Sequence, residues 1–410
     1  MLHLLLCGLA CYPLAIAASD AAMAAQRGSS RSSVYRQVSV LTELGRMLFF
    51  DPGLSASGQL SCASCHDPAH AYGPANARPV QSGGKDMRQA GLRAVPSLRY
   101  AQATPHFAEH FFDDDDEPNA GVDNGPTGGL TWDGRVDRSR DQTRLPLLSP
   151  SEMANESAAT IVAHVRKSTY AGLLRDALGS TIFDNTEKAF AGILQALEAF
   201  EQQPVEFYPY SSRYDAYLAG KAALSDQEMR GLAAFNDPAR GNCAHCHPSR
   251  RSADGTQPQF TDYGFVALGV PRNEEIPANR DPAFYDLGLC GPLRTDLRDH
   301  PEYCGMFKTP TLRNVATRQS FFHNGVFHTL KEVLAFYVER DTNPEKWFSR
   351  DKDGTVRKFD DLPSAYQANV NVEPPFDRHV GETPALSEQQ MDDIIAFLQT
   401  LNDGYRGEKR

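Results

Sequence analysis

Cys62-Ala63-Ser64-Cys65-His66 and Cys243-Ala244-His245-Cys246-His247 are two copies of one five-residue pattern, Cys-Xaa-Xaa-Cys-His. This pattern is the attachment signal for c-type haem. Two sulfurs bond the porphyrin edge, and the adjacent imidazole reaches the iron from one side. Two copies therefore predict two covalently held haems c, with His66 and His247 as iron ligands, and a chemistry of electrons or peroxide. Zinc is the competing reading, because two CxxC pairs can together form one tetrahedral site. Zinc does not require a histidine directly after the second cysteine, and both copies have one. A disulfide-exchange CxxC belongs near a βαβ pattern, and neither copy has such surroundings.

The chain has 410 residues, enough for two or three domains. A hydrophobic fraction of 41% provides material for a sizeable core. A formal net charge of −11 argues against nucleic acid as a partner, since that binding needs a basic surface. Residues Leu4 to Ala18 form an apolar run followed by small residues, and read as a secretory signal within residues 1–25. The run is too short to span a membrane, and no other stretch is long and apolar enough. A secretory signal and haem attachment both point to the periplasm. Of eight cysteines, four belong to the haem motifs and Cys7 and Cys11 to the signal. Cys290 and Cys304 remain, either as a disulfide or as two buried thiols. A disulfide closing a loop of about 15 residues stabilises a fold by roughly 3 kcal/mol.

Gln26 to Ser33 is polar and reads as disordered. Leu41 to Phe50 has helical spacing just before the first haem motif. Ser225-Asp226-Gln227-Glu228 and Ser387-Glu388-Gln389-Gln390 are capping boxes that open helices. The second precedes Met391, Ile394, Ile395, Leu398 and Leu401, one apolar stripe. Ala158 to Leu178, Glu187 to Glu201 and Leu330 to Val338 also read as helices. Period-two patterns are scarce. The expected fold is mainly α, with two cytochrome c-like haem domains, long loops and few short strands. Residues 26–207 form the first domain and 208–410 the second, with the boundary near Pro204 to Ser212. Asp113 to Glu117 is an acidic run in an exposed loop.

The chain resembles the bacterial di-haem cytochrome c peroxidase and MauG superfamily from about Gly45 to Leu401. The matching residues are Gly45-Arg-Met-Leu-Phe-Phe-Asp-Pro52, the first CxxCH, Pro96-Ser-Leu98, Trp132-Asp-Gly-Arg135 and Glu152-Met153. The second CxxCH, Lys308-Thr-Pro-Thr-Leu-Arg-Asn314 and His323-Asn-Gly325 complete the set. The resemblance implies that Trp132 connects the two haems electronically. It places Gln142 and Glu152, ten and twenty residues after Trp132, in the peroxide pocket, with Pro146 as a pocket proline. The chemistry suits these residue types, because cleaving a peroxide needs a proton moved between its two oxygens, which a carboxylate can do. On its own, Glu152 would read as a first-turn glutamate favoured by a helix dipole.

Two departures define a branch. Ordinary peroxidases of the family ligate the second haem with a methionine fourteen residues after the motif histidine. That position here is Tyr337, as in MauG-like members. A thioether favours ferrous iron, whereas a phenolate favours higher oxidation states. Ordinary members also carry a loop histidine sixteen residues after the first haem histidine, and it blocks the resting iron. That position is Ser82. The His66 haem is therefore expected to be five-coordinate and ready for hydrogen peroxide without prior reduction. His70, His106 and His110 read as surface or structural histidines. The resemblance also implies a calcium ion between the domains. Its asparagine ligand is replaced by Ala94, leaving the backbone carbonyls of Arg318 and Ser320.

These implications favour a di-haem oxidoreductase that uses peroxide to form a high-valent state and then oxidises a partner protein. The alternatives are a cytochrome c peroxidase fed by a small c-type cytochrome or cupredoxin, and a two-haem electron carrier that is not an enzyme.

Overall fold

A computed structural model describes residues 31–112 and 123–407. The expected signal and the acidic run Asp113 to Glu117 lie outside the described residues. The helix leading towards the first CxxCH spans Arg31–Phe49 and buries Leu41, Leu44, Gly45, Leu48 and Phe49, an apolar stripe at helical spacing. It begins within the stretch expected to be disordered, so Arg31 to Ser33 are helical. It packs on the helix Thr186–Glu201. Gly45 marks the crossing, because a Cβ there would lie 1.9 Å from the carbonyl oxygen of Ala196.

The second half repeats this device. Helix Asp226–Asn236 packs on helix Glu388–Gln399, and both open with the expected capping boxes. A Cβ on Gly231 would lie 1.9 Å from the carbonyl oxygen of Asp393. In each half, a glycine lets the helix before the haem motif touch the backbone of a later helix. Backbone cannot yield as a flexible side chain can. Gly45→Ala and Gly231→Ala are each expected to cost about 1–3 kcal/mol by overpacking, read as a lower melting temperature of the holoprotein. Unchanged melting in both variants would contradict these crossings.

One buried core draws on residues between Leu41 and Phe207. A second draws on residues between Tyr214 and Leu401. The fold is mainly α. Its strand pairs are short and antiparallel, joining Ser82–Gly83 to Gln89–Ala90 and Phe265–Val266 to Phe307–Lys308.

The expected helix from Ala158 to Leu178 is two helices, Ala158–Lys167 and Ala171–Leu178. Ser168 ends the first, and its hydroxyl donates to the Val165 carbonyl at 2.7 Å. The break lets the Tyr170 hydroxyl donate to Asp51, which also holds His164 at 2.8 Å and the Gly53 amide at 2.8 Å. Burial works against charge on Asp51, but these partners outweigh it and hold the carboxyl below its ordinary range. Cys290 and Cys304 form a disulfide with their Cα atoms 5.0 Å apart.

Candidate functional site

Each CxxC motif is a single helical turn, Cys62–Cys65 and Cys243–Cys246. The following histidine caps the turn, with its amide donating to the carbonyl of the first cysteine at 2.9 Å in both copies. His66 Nδ1 lies 3.0 Å from the Tyr72 carbonyl, and His247 Nδ1 lies 2.8 Å from the Phe260 carbonyl. A carbonyl can only accept, so the proton sits on Nδ1 and Nε2 is left bare, as an iron ligand requires. Burial pushes His66 down to about 4 and also lowers His247, so both imidazoles are neutral.

The four motif cysteines are free. Burial raises Cys62, Cys243 and Cys246 to about 12 and Cys65 to about 11. Among the described residues, no group of three or more His, Cys, Asp or Glu side chains converges to hold a metal. The zinc reading therefore has no geometric support.

A single cavity of about 1390 Å³ joins the two motifs. It exceeds the ordinary 300–1,000 Å³ range of a small-molecule pocket. Its walls include Trp132, Gln142, Glu152 and Tyr337, so every residue expected at the haem and peroxide sites borders one space. Arg135, Lys308 and Arg318 bring positive charge to mainly apolar walls. That combination fits porphyrins, which are flat and apolar but carry carboxylates. Ser82 also lines the cavity. His70 is tied to Asp67 at 3.0 Å and His110 to Asp123 at 2.6 Å, while His106 is exposed at the cavity margin.

Gln142 and Pro146 lie on the helix Ser139–Leu148. Glu152 follows in a turn rather than in the first turn of a helix, with its amide donating to the Ser149 carbonyl at 3.1 Å. The hairpin at Ser82–Gly83 clamps this turn. The Gly84 amide donates to the Glu152 carbonyl at 2.8 Å, and a Cβ on Gly83 would lie 2.4 Å from the Ser151 oxygen. The Glu152 side chain borders the cavity and is exposed by surface area, yet it is densely surrounded by protein atoms. That burial raises its carboxyl above the ordinary range, although Ser149 and Arg135 oppose the shift. Glu201 also borders the cavity, and burial pushes its carboxyl up to about 7 while the Ser139 hydroxyl donates to it. Sequence reasoning missed Glu201, which looks like the polar end of an amphipathic helix.

Trp132 is held from two sides. Its indole N–H donates to the Ala94 carbonyl at 2.8 Å, and its own carbonyl accepts from the Lys308 amide at 2.9 Å. The next residue, Asp133, is fully buried between Arg93 at 2.7 Å and Arg135 at 2.8 Å. Lys308 is half-buried, and desolvation pulls its ammonium down to about 8. Tyr337 lies on the helix Leu330–Glu339, packed near Phe376 and Phe322 with ring centres 5.5 Å and 5.9 Å away. Burial raises its phenol, Cys246 and Cys243 add to the shift, and Arg340 opposes it. Arg340 is fully buried one helical turn away, an electrostatic neighbour that the sequence did not disclose. Trp347 packs between Phe327 and Phe336, with ring centres 5.5 and 5.6 Å away, as a core residue.

Arg318 and Ser320, expected to offer only backbone oxygen, are joined through a side chain. Arg318 Nε donates to the Ser320 carbonyl at 3.3 Å, and its Nη2 donates to the Val95 carbonyl at 3.1 Å.

The family model described as di-haem cytochrome c peroxidase matches residues 39–223. The methylamine utilization protein MauG of Paracoccus denitrificans is 31% identical over 376 residues, covering 88% of each chain. The cytochrome c551 peroxidase of Nitrosomonas europaea is 27% identical over 322 residues, covering 78% of each chain. The crystal structure of the diheme peroxidase BthA from Burkholderia thailandensis matches with a TM-score of 0.78 and 38% identity, covering 88% of this chain and 86% of that one. Motifs, cavity and relatives agree, and the chain belongs to the di-haem cytochrome c peroxidase and MauG family of peroxide-dependent haem oxidoreductases.

Proposed function

We propose that the protein is a periplasmic enzyme of MauG type, in which hydrogen peroxide is consumed at one end of the cavity and a partner protein is oxidised at a distance. Cys62 with Cys65, and Cys243 with Cys246, would each hold one haem c, which when bound would supply the redox chemistry that takes up the oxidising equivalents of peroxide. His66 and His247 would ligate those irons through Nε2, with each ring oriented by the Tyr72 or Phe260 carbonyl at Nδ1. Gln142 holds the peroxide by hydrogen bonds. Glu152 would take the proton from one peroxide oxygen and deliver it to the other, which leaves as water, while the bound haem would supply the two electrons and keep the remaining oxygen. Trp132 gives electrons a path between the two ends of the cavity. Tyr337 caps the His247 end and favours retention of an oxidising equivalent there.

The observation that carries this reading is Tyr337, a phenol at the wall of the cavity beside the second CxxCH. A methionine there would suit an entry port for electrons instead. The test is to add hydrogen peroxide to the holoprotein with and without the product of a neighbouring gene, then weigh that product. The expected result is a mass change, on tryptophan or tyrosine, that needs both peroxide and this enzyme. The kinship to cytochrome c551 peroxidase supports a second reading, detoxification with a small c-type cytochrome or cupredoxin as donor. Rapid turnover with such donors and an unmodified partner would select it. A purely low-spin resting spectrum without a response to peroxide would select an electron carrier.

A further inference from the structure

The calcium ion implied by resemblance does not fit the residues at its expected place. Ala94 offers no side-chain oxygen. The Ser320 carbonyl is already engaged by Arg318 Nε at 3.3 Å. The same guanidinium donates through Nη2 to the Val95 carbonyl at 3.1 Å. Among the described residues, no carboxylate pairs with it. Burial alone perturbs this guanidinium, pulling it down to about 10. A positive charge held by main-chain carbonyls, without a carboxylate, occupies the environment of a hard cation. A divalent ion placed beside it would meet repulsion rather than ligands.

The position of this charge gives it a task. Val95 belongs to the half that carries the first CxxCH, and Arg318 and Ser320 to the half that carries the second. The neighbouring Ala94 carbonyl accepts the Trp132 indole N–H at 2.8 Å, and the Ala94 amide donates to the His323 carbonyl at 2.7 Å. One short segment, Ala94–Val95, is thus fastened to the other half through Arg318 and His323, and it carries the acceptor that orients Trp132.

We infer that the Arg318 guanidinium is a built-in substitute for an interdomain metal ion, a positioning group that ties the two halves at Val95 and Ser320 and makes the enzyme independent of calcium. The buried hydroxyl of Ser320 has no hydrogen-bond partner among the described residues, so one oxygen donor remains at this place and metal binding must be measured directly. The holoprotein is dialysed against EDTA, and then titrated with calcium chloride by calorimetry. Metal content, melting temperature and the resting haem spectrum are followed throughout. The expected result is no bound calcium, and no change in melting or spectrum with either reagent. Arg318→Ala is expected to melt lower and to alter the spectrum of the His66 haem. In Arg318→Ala combined with Ala94→Asn, calcium is expected to bind and to restore the melting temperature. One calcium per wild-type chain, with a dissociation constant below about 1 mM, the weak end of protein calcium sites, would overturn the inference. So would Arg318→Ala with wild-type melting and spectrum. Should Arg318→Ala fail to fold, the wild-type calcium titration still decides. None of these outcomes bears on which substrate is oxidised.

Discussion

Glu152→Gln is expected to slow the reaction with hydrogen peroxide roughly 100- to 10,000-fold, the usual worth of a positioned general acid/base, while both haems remain attached. The amide keeps the size of the side chain and its hydrogen-bonding capacity, but cannot carry the proton from the near oxygen to the far one. The backbone of this turn is clamped by Gly83 and Gly84, so the substitution leaves the turn in place. The same assignment fixes the sign of the pH dependence. Burial raises the Glu152 carboxyl above its ordinary value, which is about 4.3 for a free glutamate. Only the ionised form can accept a proton from incoming peroxide. The rate therefore falls as the pH drops through that raised pKa, and the acid limb lies higher than an ordinary glutamate would give. Stopped-flow rates between acid and neutral pH measure both effects. A Gln variant that reacts at the wild-type rate, or that keeps the acid limb, would remove Glu152 from the chemistry.

Tyr337→Met is expected to raise the midpoint potential of the His247 haem by a substantial part of the roughly 0.8 V range that axial ligands span, and to shorten the life of the peroxide-oxidised protein. The phenol lies beside Cys243 and Cys246, and burial disfavours its ionised form. Iron ligation would reverse that preference, because a bound metal cation stabilises the anionic ligand. Arg340, buried one turn away, works in the same direction. Methionine fills a similar volume with a neutral thioether, so packing against Phe322 and Phe376 is retained and the electronic term changes. A redox titration and the decay of the visible spectrum after one equivalent of peroxide measure the outcome. An unchanged potential and lifetime would exclude Tyr337 as an iron ligand.

The most local features were the most legible in the sequence. The two CxxCH copies need only a single turn each, and their spacing alone announces haem attachment. The boxes at Ser225 and Ser387 predicted helix starts because the contacts that make them lie three residues apart. Trp132, Gln142 and Glu152 carried no comparable local signal, and it was resemblance that brought them together before the cavity did. What remained illegible depends on distant partners. The carbonyls of Tyr72 and Phe260, which set the tautomers of His66 and His247, have no side-chain signature. The break after Lys167 places Tyr170 against Asp51, 119 residues away in sequence. Glu201 and Ser139, 62 residues apart, meet only when their two helices pack. The Arg318 guanidinium joins Val95, 223 residues earlier, so a residue expected to give a backbone oxygen gives a charged side chain instead.

In the proposed mechanism the two ends of the cavity differ, one open to peroxide near His66 and one capped by Tyr337, yet share oxidising equivalents through Trp132. Electron paramagnetic resonance of the fully ferric holoprotein, before and after one equivalent of hydrogen peroxide and with no reductant, tests it most directly. One high-spin and one low-spin ferric signal are expected at rest, both lost together on adding peroxide. Two low-spin signals at rest that ignore peroxide until the protein is reduced would contradict it.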